Sequence, residues 1–533
     1  MEFYTSVLRK SNQILYRGIR DGEDVLENVH FKPTLYMKSM KTDGDFKDFY
    51  GGNVTAMTFE SIYDMSQFAK NYGSIPGELW GNKNPVPQFI YEKFGSKIEY
   101  NQHWVRGAFI DIEVLTRQRV GDTWLDGGFP EASKAEFPIN AICYYDTSDC
   151  IYHVYSLAPW RADKSCFKEL ADHVDYHFFK TEMELLEAWI SYVRNNYPHY
   201  VTGWNIEKFD IPYIVNRVEK VLGPRYVKLL SPWNIVQVHD VMTKYGSEQT
   251  YELYGISTLD YMDLYKKHIF TPRESYTLDF IAECELNEHK KEFEGTHGSF
   301  FWEDPQGFQD YNIKDVNLVV KMDDKLQLVN LVLSLAYFAG INYEETFSPI
   351  RTWDTLIYRE CMNRQIAVPF RDQVSAREEY EGAYVVPPKV GMYKAIASFD
   401  VTSLYPSVNR SWNIGTEALI DGALHEEIKS AIIEACVSHN NSELAHLALT
   451  SSPFVEYYKD NGMPDYVTEV LKKYNVSLTL NWQFFSNEKE AITTYLQSTL
   501  FLERKSDKKK AQEYAQIEKS CHEEMLRRGL INE

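Results

Sequence analysis

The stretch Gly107-Ala108-Phe109-Ile110-Asp111-Ile112-Glu113-Val114 limits what this chain can fold into more than any other. An apolar run opened by glycine reads as a buried strand. Side chains alternate faces along a strand, so Asp111 and Glu113 point the same way. Two carboxylates on one buried face repel each other and are costly to desolvate unless a cation lies between them. The strand is therefore either an exposed edge with two solvated acids or one wall of a cation site.

Two further segments carry acids in suggestive places. In Thr202-Gly203-Trp204-Asn205-Ile206-Glu207-Lys208-Phe209-Asp210-Ile211-Pro212, a strand end enters a tight loop, where α/β folds collect functional groups. Asp210 precedes an apolar-periodic run, so a helix N-cap is the competing reading. In Asp310-Tyr311-Asn312-Ile313-Lys314-Asp315-Val316, Tyr311 and Asp315 are four apart and share a helix face. An Asp in so apolar a helix destabilises it unless paired; a Tyr–Asp structural hydrogen bond would satisfy it, and so would a site in which the hydroxyl orients a water. Together, Asp111, Glu113, Asp210 and Asp315 can surround two divalent ions about 3.5–4 Å apart. Oxygen-only ligands point to Mg²⁺ or Mn²⁺.

Composition sets the bounds. A chain of 533 residues has room for about three or four domains. With 44% hydrophobic and 15% aromatic residues it is not a disordered chain. Charges interrupt the N-terminus where a signal peptide needs an apolar stretch. The longest apolar run, Val329 to Ala339, is broken by Asn330 and Ser334 and is too short to span a bilayer, so a soluble, non-secreted protein is expected. Cys143, Cys150, Cys166, Cys284, Cys361, Cys436 and Cys521 contain no C-x-x-C pair. They suggest neither a zinc site nor a disulfide framework, and they suit a reducing compartment. A formal charge of −21 reports solubility and steering rather than what a local groove can hold.

Along the chain, residues 1 to about 104 read as short alternating strands, with Pro33 marking an edge within Asn28 to Tyr36. Pro85, Pro87 and the polar stretch Glu99 to His103 suggest a junction. From Gly107 to about Val320 strands interleave with amphipathic helices, the pattern of a mixed α/β domain. Residues 321–378 read as Leu-rich helix, a strand-rich unit is expected beyond Gly382, and helix from about Glu469 to the end.

In these segments the sequence resembles the family B replicative DNA polymerases, and among them the T-even-type phage enzymes. F-I-D-I-E at Phe109–Glu113, N-x₃-F-D at Asn205–Asp210 and Y-x₃-D at Tyr311–Asp315 are similar to that family's exonuclease motifs. The stretches Gly128–Ala132, Gly255–Lys267 and Phe347–Asp354 also resemble it, and the similarity runs from the N-terminus to about residue 420. The resemblance implies that Asp111, Glu113, Asp210 and Asp315 are metal ligands, that Tyr311 positions the water, and that Asn205 and Phe209 contact DNA. Tyr380-Glu381-Gly382-Ala383-Tyr384-Val385 resembles the connector that holds primer–template, which implicates Tyr380 and Gly382 in DNA binding. Ser398-Phe399-Asp400-Val401-Thr402-Ser403-Leu404-Tyr405 resembles the first polymerase motif. There Asp400, ending a strand, and Val401 would hold Mg²⁺. The backbone of Ser403 and Leu404 would meet triphosphate oxygens, and the Tyr405 ring would exclude a 2′-hydroxyl; a tyrosine–proline turn after a core strand is the alternative. Arg504 and Lys508, four apart, resemble the fingers residues that grip the triphosphate, although a charge-rich solvated helix has the same pattern. Lys472 to Ser498 reads as an insertion.

The implied architecture is a multidomain α/β protein. A β-rich N-terminal domain covers 1–104, with 327–378 returning to it. An RNase H-like 3′→5′ exonuclease domain with a mixed sheet covers 105–326, a partial palm 379–468 and partial helical fingers 469–533. After Lys508 the helical pattern runs through Tyr514, Ile517 and Cys521 to Gly529, and the family's K-x₃-N-S-x-Y-G and D-T-D-S motifs do not occur in the sequence. Two-metal phosphoryl transfer needs the second aspartate of that hairpin. The expectation is therefore a proofreading exonuclease that trims single-stranded 3′ ends. Synthesis on primer–template from deoxynucleoside triphosphates would need a second polymerase chain, in the cytoplasm of an infected bacterium and with no membrane partner. A truncated polymerase, a stand-alone exonuclease and a non-catalytic nucleic-acid-binding scaffold are the alternatives.

Overall fold

The computed structural model describes residues 1–39, 46–75, 77–120, 123–128, 130–243, 246–291, 297–370, 386–400 and 403–528. They fall into two compact units. One comprises Met1–Thr34, Thr58–Lys70 and Asn82–Thr355, the other Leu35–Met57, Asn71–Gly81 and Leu356–Glu533. Among the described residues no helix is long and apolar enough to cross a membrane.

The first unit opens with a three-stranded antiparallel sheet, Glu2–Lys10, Gln13–Arg20 and Glu23–Val29. The apolar helix Leu328–Ala339 and the loop after it close over this sheet. Asn342 satisfies both backbone groups of Val7, accepting its N–H at 2.8 Å and donating to its carbonyl at 2.9 Å. The Tyr337 hydroxyl donates to the Tyr4 carbonyl at 2.7 Å.

The centre of this unit is a six-stranded mixed sheet. Its elements are β1 (Gly107–Val114), β2 (Ile139–Asp146), β3 (Ile151–Ser156), β4 (Val174–Phe178), the helix α1 (Glu182–Asn195), β5 (Tyr200–Gly203), the helix α2 (Asp210–Leu222), β6 (Ser257–Asp260) and the helix α3 (Pro305–Leu326). The strand order is β4-β3-β2-β1-β5-β6. Only β2 runs antiparallel to its neighbours; β1 pairs parallel with β5, β5 with β6, and β3 with β4. Ala108, Ile110 and Ile112 of β1 point into a core with Leu185, Leu186, Trp189 and Ile190 of α1 and Ile211, Ile214, Val215 and Val218 of α2. Burying each leucine, isoleucine or valine among them contributes about 1.5–3 kcal/mol, which fixes the register of β1. A slip by one residue would drive Asp111 and Glu113 into that core. The opposite face of the sheet receives α3, which is buried on nearly every side from Gly307 to Val320.

The second unit holds a five-stranded sheet of Thr34–Lys38, Phe46–Asp48, Asn53–Thr58, Leu79–Trp80 and Ile366–Ala367. It also holds a helical module with a core of Ile428, Ile432, Cys436, Leu444, Trp482 and Phe484, and the helix Ile492–Arg527.

Several sequence expectations need correction. Residues 1–104 also contain helices Ile62–Tyr72 and Pro85–Phe94. Pro85 and Pro87 open the second of these instead of breaking the chain. Asn84 caps it, accepting the Val86 N–H at 3.1 Å, and a proline in the first turn lacks only an N–H that the helix does not use. Pro33 lies between two strands, since the chain leaves the first at Val29 and enters the next at Thr34. Among the described residues the region beyond Gly382 is not strand-rich: five α-helices lie between Leu404 and Tyr474, and the three strands are two or three residues long. Asp400 does not end a strand. Residues 386–400 pair with no strand among the described residues, and Phe399 is 93% exposed. The segment after Glu469 is interrupted by the strands Val476–Leu478 and Phe484–Ser486.

Candidate active site

The acids meet where β1, the β5–α2 loop and α3 converge. Asp111 and Glu113 leave β1 on the face away from the aliphatic core, and Glu113 is 6% exposed. β5 pairs with β1 only as far as Phe109, which leaves the C-terminal half of β1 open on that side. Asp210 fills the opening: its Oδ1 accepts the Ile112 N–H at 3.0 Å, and the residue is 4% exposed. Phe209, not Asp210, occupies the cap position of α2 and makes no side-chain cap bond. Asp210 is thus not an N-cap, and one of its carboxylate oxygens is committed to β1.

The loop between β5 and α2 holds this arrangement. Asn205 adopts φ 65° and gives its N–H to Asp260 Oδ1 at 3.2 Å, while the Glu207 N–H reaches Asp260 Oδ2 at 3.0 Å. Gly203 lets the loop approach β1, since a Cβ there would lie 2.3 Å from the Ile110 carbonyl oxygen. Phe209 packs partly buried beside Tyr213, with ring centroids 5.5 Å apart.

From α3, Asp315 is 3% exposed and shares a face with Tyr311 and Asn312. One carboxylate oxygen from each of Asp111, Glu113 and Asp315 lies within 4.8 Å of the others. Three residues outside the sequence expectation, Asn312, Gln309 and Lys290, complete the site. Asn312 donates from Nδ2 to Asp111 Oδ2 at 2.9 Å, and Gln309 in turn donates to Asn312 Oδ1 at 3.2 Å. Lys290 forms an ion pair with Asp315 and donates to the Tyr311 hydroxyl at 3.1 Å. Asn312 could have been suspected from its place one turn before Asp315. Lys290 comes from a loop with no periodic pattern, so nothing in the sequence singles it out.

Electrostatics here are those of an acid cluster short of positive charge. Burial, then the charges of Asp210 and Glu113, push Asp111 well above the usual carboxylate range. Burial and the neighbouring Asp315 push Glu113 up to about 8. Burial pushes Asp210 up to about 7, although the Ile112 N–H opposes it. Burial alone would lower the Lys290 amine, but the charges of Asp315 and Tyr311 outweigh it and hold Lys290 protonated above its ordinary value. One ammonium cannot offset four carboxylates in a low-dielectric site, so the raised acids keep their protons until a cation replaces them. Divalent ions with a preference for oxygen ligands fit that donor set.

Asp400, Ser403, Leu404, Tyr405, Arg504 and Lys508 belong to the second unit. Asp400 is exposed and belongs to no group of three or more potential ligands among the described residues. Ser403, at φ 53°, precedes the helix Leu404–Trp412, in whose first turn Tyr405 is 71% exposed. Arg504 and Lys508 lie on the exposed part of the helix Ile492–Arg527. Tyr380, Gly382 and Val401 lie outside the described residues.

Comparison with known proteins adds an independent observation. Residues 90–281 match the model for DNA polymerase family B, exonuclease domain, and residues 350–514 match that for DNA polymerase family B. The first match includes Asp111, Glu113 and Asp210 but stops short of Asp315; the second includes Asp400, Tyr405, Arg504 and Lys508. The chain is 32% identical over 499 residues to the DNA-directed DNA polymerase of Escherichia phage RB69, covering 89% of this chain and 53% of that protein. It is 34% identical over 437 residues to that of Enterobacteria phage T4, covering 78% and 47%. It is 30% identical over 320 residues to a DNA polymerase delta catalytic subunit of Plasmodium falciparum, covering 56% and 28%. The chain spans about half the length of the two phage proteins.

Proposed function

The chain belongs to DNA polymerase family B, and we propose that its acid cluster is a two-metal 3′→5′ exonuclease that proofreads DNA ends. The observation that carries this reading is the meeting of Asp111, Glu113 and Asp315 within 4.8 Å, with Asp210 fixed beside them on β1. Four acids held together against a single ammonium destabilise the fold with no structural return, which disfavours a non-catalytic scaffold. The sheet order, with its second strand antiparallel to the rest, supports an RNase H-like reading of the domain.

Asp111, Glu113, Asp210 and Asp315 would hold the ions, which when bound lower the pKa of the attacking water and stabilise the leaving 3′ oxygen. The protein's own groups set the geometry. Asn312 orients Asp111, and the Ile112 N–H orients Asp210. Lys290 fixes the Tyr311 hydroxyl beside the cluster, where it can align the water along the scissile bond. Asn205 and Phe209 at the loop rim would receive the terminal nucleotide. A frayed 3′ end reaches such a pocket at lower unstacking cost than a paired one, so mismatched termini are trimmed first.

For the polymerase segment we propose that Asp400 and Val401 contribute to a metal site, and that the Ser403 and Leu404 backbone, Tyr405, Arg504 and Lys508 contact the nucleoside triphosphate. Tyr380 and Gly382 would contact primer–template. Synthesis also requires carboxylates that these 533 residues do not present in the family's D-T-D-S form, whether carried on the same polypeptide or on a partner chain.

The test is a 5′-labelled single-stranded oligonucleotide incubated with the protein and Mg²⁺. Stepwise shortening from the 3′ end that stops with EDTA is expected. The double variant D111A/E113A should bind the oligonucleotide and leave it intact; undiminished digestion by that variant would sink the assignment.

A further inference from the structure

The edge of the six-stranded sheet carries a second constellation that the acid cluster does not use. β3 and β4 run parallel, with His153 opposite Asp175. Asp175 and His177 are two apart on β4, so all three side chains lie on one face. One ligand atom from each lies within 4.8 Å of the others. Asp175 Oδ2 is 3.3 Å from His153 Nδ1 and 2.9 Å from His177 Nε2. Tetrahedral coordination with bonds of about 2.0–2.1 Å puts neighbouring donor atoms about 3.3 Å apart, so these separations already approach those of a ligand set.

Each ring nitrogen of His153 faces a carboxylate, Nδ1 that of Asp175 and Nε2 that of Asp149. On the far side of the His153 ring, Nε2 lies 3.0 Å from Asp149 Oδ2. An imidazole that gives its Nε2 proton to a carboxylate presents its Nδ1 lone pair outward, as metal-bound histidines commonly do. The Tyr192 ring packs on His153 with centroids 4.3 Å apart, and Tyr155 stacks on His177 at 5.1 Å, which restrains both imidazoles. His153 is buried while Asp175 is exposed and His177 half-buried, so solvent can supply a fourth ligand.

We propose that His153 Nδ1, Asp175 and His177 Nε2 form a binding site for a first-row transition ion, Zn²⁺ foremost, with Asp149 setting the His153 tautomer. Two imidazoles and one carboxylate suit zinc and disfavour magnesium, the reverse of the all-oxygen acid cluster. A bound ion would cross-link the edge strand β4 to β3, a structural role separate from the exonuclease.

The test uses the whole chain, stripped with EDTA and then saturated with Mg²⁺ to occupy the acid cluster, and titrated with Zn²⁺ or Co²⁺. One Zn²⁺ per chain is expected, with visible bands of a four-coordinate ion when Co²⁺ replaces it. Substitutions H177A and D175N, both on solvent-facing positions, should each weaken Zn²⁺ binding at least about 100-fold, and D149N about 10–100-fold. Circular dichroism and unfolding midpoints without zinc establish that each variant folds. Equal Zn²⁺ affinity in the wild type, H177A and D175N would overturn the proposal. So would the absence of Zn²⁺ binding in the Mg²⁺-saturated wild type, which would leave the cluster a set of hydrogen-bonded ion pairs.

Discussion

Raising the pH from 6 to 8 should strengthen Mn²⁺ binding at the acid cluster by about two to three orders of magnitude. Metal ligation needs ionised carboxylates, and burial with like charges pushes Glu113 to about 8 and Asp210 to about 7. At pH 6 roughly one Glu113 in a hundred and one Asp210 in ten are ionised; at pH 8 the fractions are about a half and nine-tenths. The product rises about 500-fold, or about 4 kcal/mol. From these two acids alone, loading at pH 6 should release about two protons and at pH 8 fewer than about one, with Asp111 adding to both counts. Titration calorimetry with Mn²⁺ in buffers of differing ionisation heat measures both quantities. The same shifts fix the sign of stability in the metal-free protein. Both native values lie above the ordinary 4.5 and 3.8, so this contribution is fully present below about pH 4 and is lost as pH rises through about 7 and 8. Mg²⁺ should therefore raise the unfolding midpoint more at pH 8 than at pH 6. An affinity and a proton count that do not change between these pH values would refute the reasoning, because the acids would then be ionised without a cation.

Two further outcomes test the parts that hold the site. N312A removes the donor to Asp111 Oδ2 without touching the other acids, and should lower Mn²⁺ affinity or exonuclease rate about 10–100-fold while oligonucleotide binding stays as it was; an unchanged rate would make Asn312 a bystander. G203A places a Cβ against the Ile110 carbonyl, so the β5–α2 loop must shift, with a stability loss of about 1–3 kcal/mol in denaturant unfolding and reduced digestion; a fully stable, active G203A would show that the close approach is not required.

Much of the site's setting was legible because the sequence carries the right period. The alternation in Gly107–Val114 specifies a strand whose two faces differ, and the structure has β1 there with its aliphatic side chains in the core. Asp210 was ambiguous, because one residue separates a cap from a first-turn acid, and only the hydrogen bond to Ile112 across the sheet decides it. Lys290 was invisible: it reaches Tyr311 across 21 residues of chain from an aperiodic loop, and such loops leave no trace in local pattern. Pro85 and Pro87 misled because proline marks a helix start as readily as a boundary. The strand-rich unit expected beyond Gly382 failed because a strand exists only with a ladder partner, and Val390, Met392 and Ile396 are exposed.

On the proposed reading, Asp111, Glu113, Asp210 and Asp315 jointly hold two ions at a DNA 3′ end. The most direct measurement is anomalous diffraction from crystals soaked with Mn²⁺ and a single-stranded oligonucleotide bearing a non-hydrolysable 3′-terminal linkage. Two peaks about 3.5–4 Å apart among these four carboxylates, with the scissile phosphate between them, are the predicted result. A single ion, or a 3′ end seated away from the cluster, would contradict it.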